Sequence, residues 1–436
     1  MSSARGVALR ALQQLDKGRI ERVGDEIARA ALEPRDLALA RELALGAVRN
    51  ERFLDFVLER FVTRSLPKDP RTRSALRLGA FQLLLLDGMP QRAAVHETVG
   101  LLQRDKAFAN AVLRRVADAV ASRAADPARP AVELPLSPRR ALLLPEPGLG
   151  AAAEPLAVRH SLPDFLVARW RAAHGCAAVA GLCEAASGGT TLFLRACGGR
   201  TGAALIELLA AEAVRCEPTP HPLVVRCLSG APFATRAAAA GAFVAQDPTA
   251  VAAAEAVGAV PGMRILDLCA APGTKATLLA ERVQPDGVVF AFDPDTRRRE
   301  RIVDNARRLG LERTLRIVED PQEAAGVDAV LADVPCSNTG VLSRRVEVRR
   351  RLEPGTFAAM AAVQRPILAQ ALRLVRPGGA VVYSTCSIEP EENGEVARAV
   401  AAEHGWRVVA ELATLPAADT CDGGYWALLR EGADGG

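Results

Sequence analysis

The chain has 436 residues, half of them apolar and 4% aromatic, with a formal charge of +4. That length exceeds what one hydrophobic core serves, so two or three domains with Ala/Leu/Val cores are expected. The longest leucine run, Leu83–Leu86, is far shorter than the roughly 20 apolar residues a membrane helix needs, and no basic-then-apolar leader opens the chain, so a soluble cytoplasmic protein is expected.

Residues 4–124 read as consecutive helices. Val112, Val116 and Val120 recur at helical spacing, and Pro34, Pro67, Pro70 and Gly88-Met89-Pro90 punctuate the runs. Residues 1–125 hold 22 Lys/Arg against 15 Asp/Glu, whereas the remainder holds 33 against 36. A basic N-terminal part suggests a polyanionic partner, although a solvated helical surface gives the same count. Residues 126–160 carry Pro127, Pro130, Pro135, Pro138, Pro145 and Pro147 and read as a linker without a core.

Residues 161–240 form a small α/β unit, with strands at Leu192–Arg195 and Leu223–Val225 and a helix over Gly202–Ala213. From 241 onward strands alternate with helices: Arg264–Leu268, Val288–Phe292, Thr314–Val318, Ala329–Ala332 and Ala380–Tyr383 are the apolar strand candidates. That alternation predicts a mostly parallel sheet covered by helices on both faces.

The strongest chemical segment is Arg264-Ile-Leu-Asp-Leu-Cys-Ala-Ala-Pro-Gly-Thr-Lys275. A strand runs into a turn of small residues and then a helix N-terminus, the place where doubly wound sheets bind ligands. The turn lacks Gly-x-Gly-x-x-Gly, which disfavours a dinucleotide pyrophosphate. Small residues let the backbone approach a ligand, and the helix N-terminus offers N–H groups to a carboxylate. Asp293 ends the next strand, where ribose hydroxyls are bound, and Asp320 follows the third, placed for an adenine edge. Singly, such an Asp is usually a helix cap. Acids in register after successive strands, Asp333 of the fourth included, describe an adenosine-plus-amino-acid ligand.

Nine cysteines occur, none before Cys176 and none in a Cys-x-x-Cys pair, so no metal is expected. Cys176, Cys183, Cys197, Cys216, Cys227 and Cys421 read as small buried apolar residues. Cys336 and Cys386 differ, since each sits just past the end of a strand on the rim that carries the ligand loop. Lys275 is the one lysine after Lys106 in a chain whose bases are otherwise Arg, which suggests a site needing a compact ammonium. The five histidines show no pairing pattern. Arg297–Arg301 and Arg344–Arg351 are candidates for the phosphates of a polyanion, with solvated faces as the alternative.

Asp333-Val-Pro-Cys336 and Ser384-Thr-Cys-Ser387, with the loop Cys269-Ala270-Ala271-Pro272-Gly273-Thr274-Lys275 and the lead-in Gln246-Asp-Pro248, resemble the NOL1/NOP2/Sun family of RNA cytosine-5 methyltransferases. Phe108-Ala-Asn-Ala-Val-Leu-Arg-Arg115 is similar to the antitermination factor NusB, and Ser161–Trp170 to the start of the family's middle domain. The combination resembles the bacterial branch acting on small-subunit rRNA. Two departures stand out: Thr274 replaces a more usual Gly, and Arg345-Val-Glu347 stands where an Arg-rich His-Pro-Asp stretch is customary.

The resemblance implies an all-α NusB-like RNA-binding domain (1–125), a small RRM-like α/β domain (161–240) and a class I Rossmann-like methyltransferase domain (241–432). It implies S-adenosyl-L-methionine held by residues 269–275, Asp293, Asp320 and Asp333. Cys386 would be the nucleophile that adds to cytosine C6, Asp333 would contact N3 and the amine, and Cys336 would assist release. The implied partner is RNA, 16S rRNA first, with no DNA and no membrane, and with the chain acting as a monomer. The competing readings are a tRNA-directed enzyme, a class I methyltransferase of another target, and a non-catalytic rRNA assembly or antitermination factor. The sequence Asp333-Val-Pro-Cys336 argues against the second, since amino-group methyltransferases carry Pro-Pro-aromatic there.

Overall fold

Among the described residues, helices Ala4–Asp16, Val23–Ala28, Pro34–Arg49, Glu51–Phe61, Pro70–Leu84, Gln91–Gly100 and Lys106–Asp118 occupy the N-terminal part. Their starts follow local chemistry. Pro34 and Pro70 sit in first turns, where a missing N–H costs nothing, and the Asp69 carboxylate caps Thr72 N–H at 2.8 Å. Glu51–Phe61 buries Phe53, Leu54, Val57 and Leu58, a stripe at helical spacing. Helices Pro34–Arg49 and Pro70–Leu84 pack so closely that a Cβ on Gly46 would lie 2.0 Å from the Phe81 ring.

The computed structural model describes residues 3–63 and 65–432. They divide into two units, Met1–Ser187 with Arg345–Arg351, and Gly188–Arg344 with Leu352–Gly436. Residues 126–160 are not the linker their composition suggests. Glu133–Ser137 pairs antiparallel with Arg140–Leu143, which also pairs with Val120–Ala121. Leu134, Leu142, Leu144 and Leu149 are buried in the helical core. The prolines are compatible with this because Pro138 occupies the hairpin turn and Pro135 an edge strand.

The segment Arg345–Arg351 belongs to this first unit, which corrects its reading as a phosphate site. Val346 joins the core, and Glu347 accepts Val23 N–H at 3.0 Å. Buried Arg349 donates to the carbonyls of Arg49 (2.6 Å) and Ala186 (2.8 Å). Arg350 pairs with Asp16 at 2.7 Å and Glu51 at 3.1 Å. Arginines committed to internal acceptors have few donors left for RNA.

In the second unit a four-stranded antiparallel sheet has the order Arg215–Pro218, Val224–Ser229, Leu192–Ala196, Phe243–Ala245. The larger sheet holds β1 (Arg264–Asp267), β2 (Val288–Ala291), β3 (Leu315–Ile317), β4 (Val327–Asp333), β5 (Val375–Thr385), β6 (Trp406–Thr414) and β7 (Gly424–Glu431). Its order is β3-β2-β1-β4-β5-β7-β6, and β7 alone runs antiparallel. Strands β1, β4 and β5 are nearly continuous apolar runs, as central parallel strands require. Helices α1 (Thr274–Arg282) and α2 (Thr296–Arg308) help cover the sheet, burying Leu279 and Ile302 with Val289. Fully buried Arg195, on the smaller sheet, donates to Gln246 (2.7 Å) and pairs with Glu281 of α1 (2.6 Å). That pair ties the smaller sheet to the helix into which the loop 269–275 runs.

Candidate active site

Strands β3, β2, β1, β4 and β5 are neighbours and run parallel, so their carboxyl ends share one rim, and the expected site residues follow those ends. After β1, Cys269–Lys275 turns into α1 with Gly273 at the cap and φ of +100°. A side chain there would be strained, and its Cβ would press on Ile302 at 3.2 Å. The loop is braced from α2, because Asn305 donates to Pro272 O at 2.9 Å and Arg298 to Ala271 O at 3.0 Å. Asp293, 1% exposed, accepts Ala271 N–H and Asp295 N–H at 3.1 Å each. Buried Arg299 donates to Asp293 O at 2.6 Å and pairs with Glu319. Within Arg297–Arg301, then, Arg298 and Arg299 shape the loop, against their reading as phosphate ligands.

Asp320 is exposed and caps the turn Pro321–Ala324, accepting Gln322 N–H at 2.9 Å in a capping box with Glu323. That turn follows the carboxyl end of β3, which runs parallel to β2, so the cap stands at the same edge of the sheet. Cys269 is no nucleophile, since burial and the acids Asp267, Asp333 and Asp293 push its thiol far up.

Sequence reading missed Asp267, an acid hidden at the end of an apolar strand. It is 1% exposed, and neither carboxyl oxygen has a hydrogen-bond partner among the described residues. Burial first, then the Asp333 charge, push it to about 8. The folded protein thus holds a proton that an unfolded Asp, with its pKa of about 4, releases. Its contribution to stability is full below about pH 4 and is lost as pH rises toward 8. Asp267→Asn is therefore expected to melt progressively higher relative to wild type from pH 5 to pH 8. A difference that stays constant across thermal melts would refute this.

Asp333, at the end of β4, is held from both sides. Lys275 Nζ donates to Oδ2 and Ser384 Oγ to Oδ1, each at 2.7 Å. Burial opposes the Lys275 charge, but Asp333 beside it more than offsets this and raises the ammonium above its usual range. The carboxylate stays partly exposed, its side chain 31% accessible, so it faces an incoming group while the lysine backs it.

Cys336 and Cys386 come together, with their sulfurs 3.0 Å apart. Cys336 is buried and Cys386 half-buried. The hydrogen bond with Cys386, then burial, push the Cys336 thiol well up, so Cys336 is the sulfur that keeps its proton. Asn338 frames the pair. In the left-handed conformation that Asn tolerates (φ 62°), its Nδ2 donates to Cys336 O at 2.7 Å and its Oδ1 lies 3.4 Å from Cys386 Sγ. Gly340 N–H donates to Cys386 O at 3.0 Å, and a Cβ there would lie 2.4 Å from Gly423 O. Arg344 is committed to Asp422 at 2.7 Å and Thr191 O at 3.0 Å. The rim thus offers a paired thiol, a lysine-backed carboxylate and a small-residue loop above an unpartnered buried acid. This donor set suits a ligand with an adenosine and a cationic amino-acid end, and covalent attack on an unsaturated ring.

Two family profiles match the chain: 16S rRNA methyltransferase RsmB/F over residues 256–424 and the NusB family over residues 2–118. Over 409 residues the chain is 33% identical to ribosomal RNA small subunit methyltransferase B of Thermus thermophilus, covering 92% of this chain and 87% of that protein. Over 421 residues it is 29% identical to a probable ribosomal RNA small subunit methyltransferase B of Bacillus subtilis, covering 92% and 89%. The crystal structure of PH0851 superposes with a TM-score of 0.75 at 22% identity, covering 98% of each chain, a likeness of fold.

Proposed function

This chain belongs to the 16S rRNA methyltransferase RsmB/F family, and on that premise we propose that it methylates C5 of a cytosine in 16S rRNA through a covalent bond from Cys386. The observation that carries the reading is the 3.0 Å approach of Cys336 and Cys386 beside the Lys275–Asp333 pair.

Cytosine C5 is too weak a nucleophile to take a methyl group unaided. Addition of the Cys386 thiolate to C6 makes the ring an enamine and moves electron density to C5. Asp333, relaying a proton from the Lys275 ammonium behind it, protonates N3 as negative charge develops on the ring and accepts from the exocyclic amine. S-adenosyl-L-methionine would be held by residues 269–275 with Asp293, Asp320 and Asp333 and would supply the methyl group as an electrophile. Solvent water takes the C5 proton, its electron pair reforms the C5–C6 double bond, the bond from C6 breaks with its pair leaving on Cys386 as thiolate, and N3 returns its proton to the Asp333–Lys275 pair. Cys336, in contact with the Cys386 sulfur, serves that release. The target base reaches the rim unpaired or flipped out.

In this reading residues 1–125 are the NusB-like RNA-binding domain, 161–240 the small α/β domain and 241–432 the methyltransferase. RNA rather than DNA is the target, and the enzyme works as a monomer in the cytoplasm. Among the described residues no helix is long and apolar enough to cross a membrane. The test is transfer from labelled S-adenosyl-L-methionine to unmodified small-subunit rRNA, with bulk tRNA alongside. Label recovered as 5-methylcytosine in the rRNA alone supports the reading. Label confined to tRNA keeps the chemistry and discards the target, and label in neither favours a binding factor.

A further inference from the structure

Behind the cysteine pair lies a buried carboxylate that the chemistry above leaves unused. Glu392, 0% exposed, sits in the turn Pro390–Glu392 after β5. Its Oε2 accepts Ser337 N–H at 2.7 Å and the Gln364 amide at 3.1 Å. Its Oε1 accepts the Ser387 hydroxyl at 2.8 Å and the Ser337 hydroxyl. Ser337 follows Cys336 and Ser387 follows Cys386, so one side chain bonds to the residue after each cysteine. The surroundings extend the same grip. Gln364 also donates to Pro335 O at 2.9 Å, on the other side of Cys336, and the Tyr383 hydroxyl donates to Glu392 O at 2.5 Å.

Burial raises the Glu392 carboxyl above its usual range, and the donors around it only partly offset this. A buried carboxylate is costly unless its lone pairs are filled, and here all four partners can donate to it. An ionised carboxylate matches that set as it stands; an amide fits only if the Ser337 and Ser387 hydroxyls turn to accept from its NH2. Charge-assisted bonds are also shorter and stronger than neutral ones, which suits a tie that fixes two loops to within a fraction of an ångström.

We propose that Glu392 is a positioning residue for methyl transfer, a clamp that holds the loops of Cys336 and Cys386 so that their sulfurs stay in contact. The proposal rests on the reading of Cys386 as nucleophile. Glu392 touches neither sulfur; it acts through Ser337 and Ser387.

The test compares wild type, Glu392→Gln, Glu392→Asp and Cys386→Ala in methyl transfer to small-subunit rRNA, with S-adenosyl-L-methionine affinity measured by calorimetry. Glu392→Gln keeps the volume but removes the charge, so the Ser337 and Ser387 hydroxyls must turn to accept from its NH2 and the charge-assisted bonds that hold the two loops are lost. Its kcat is expected to fall about 100-fold, the cost typical of misplacing reacting groups by an ångström. Cofactor affinity and KM for RNA should not change, and Glu392→Asp, which keeps the charge with a shorter reach, should fall between. If Glu392→Gln does not fold, Ser387→Ala removes the Cys386 arm and Ser337→Ala reduces the Cys336 arm to its backbone bond, and both should lower kcat with the same unchanged affinity. Wild-type kcat in Glu392→Gln beside an inactive Cys386→Ala overturns the clamp alone. A fall in kcat matched by equal losses of cofactor affinity reduces Glu392 to a fold residue and overturns it too. Activity retained by Cys386→Ala overturns the nucleophile reading instead.

Discussion

Cys386→Ala is expected to lower methyl transfer by roughly 10⁴-fold or more, the scale seen when a covalent nucleophile is removed from its constellation. The loss should lie in kcat, because the residues that hold the cofactor loop, Asp293, Arg298 and Asn305, do not depend on Cys386. Without the sulfur nothing adds to C6, and C5 keeps its aromatic reluctance. The neighbouring Cys336 does not substitute: it is buried and its thiol is pushed well above the usual range. Rapid-quench kinetics with saturating rRNA measures the effect, and calorimetry checks that cofactor affinity survives. A variant with a rate within tenfold of wild type would leave the cysteine no covalent role.

Lys275→Met should have the second-largest effect. Lys275 and Asp333 stand 2.7 Å apart with side chains 15% and 31% accessible, partly desolvated, so the pair counts for more than an exposed ion pair. Removing the ammonium leaves Asp333 with Ser384 as its remaining donor and takes away the proton source behind N3. A fall in kcat of about 100- to 1000-fold is expected for losing a positioned acid and its charge. Lys275→Arg should recover only part of it, since a planar guanidinium does not occupy the place of an ammonium. If the two groups act as a unit, Lys275→Met/Asp333→Asn will be no slower than the slower single variant. Additive losses would mean that they act separately.

Much of this site was legible in the sequence because its residues sit at fixed offsets after parallel strands. Five strands were located to within a few residues from apolar runs, and the loop 269–275 from its small residues. Two cysteines past strand ends pointed to the same rim before geometry was available. What escaped has physical reasons. Strand β6 leaves nearly every residue exposed, so it has no apolar alternation, and β7 went unread with it. The hairpin within 126–160 was masked by prolines that lie where prolines are tolerated. Glu392 and Asp267 are acids whose meaning lies in burial. Nothing in Pro390-Glu-Glu-Asn393 says which glutamate turns inward, and only the fold shows Glu392 among four donors.

The most direct measurement of the central claim uses Cys336→Ala, in which release from the base should stall. The variant is incubated with S-adenosyl-L-methionine and small-subunit rRNA, denatured, and digested, and the RNA-linked peptide is sequenced by mass spectrometry. The account predicts a stable adduct on the peptide that contains Cys386, carrying a methylated cytosine, and none with Cys386→Ala. Methylated rRNA released at the wild-type rate with no linked peptide, or a linkage at a residue other than Cys386, would contradict it.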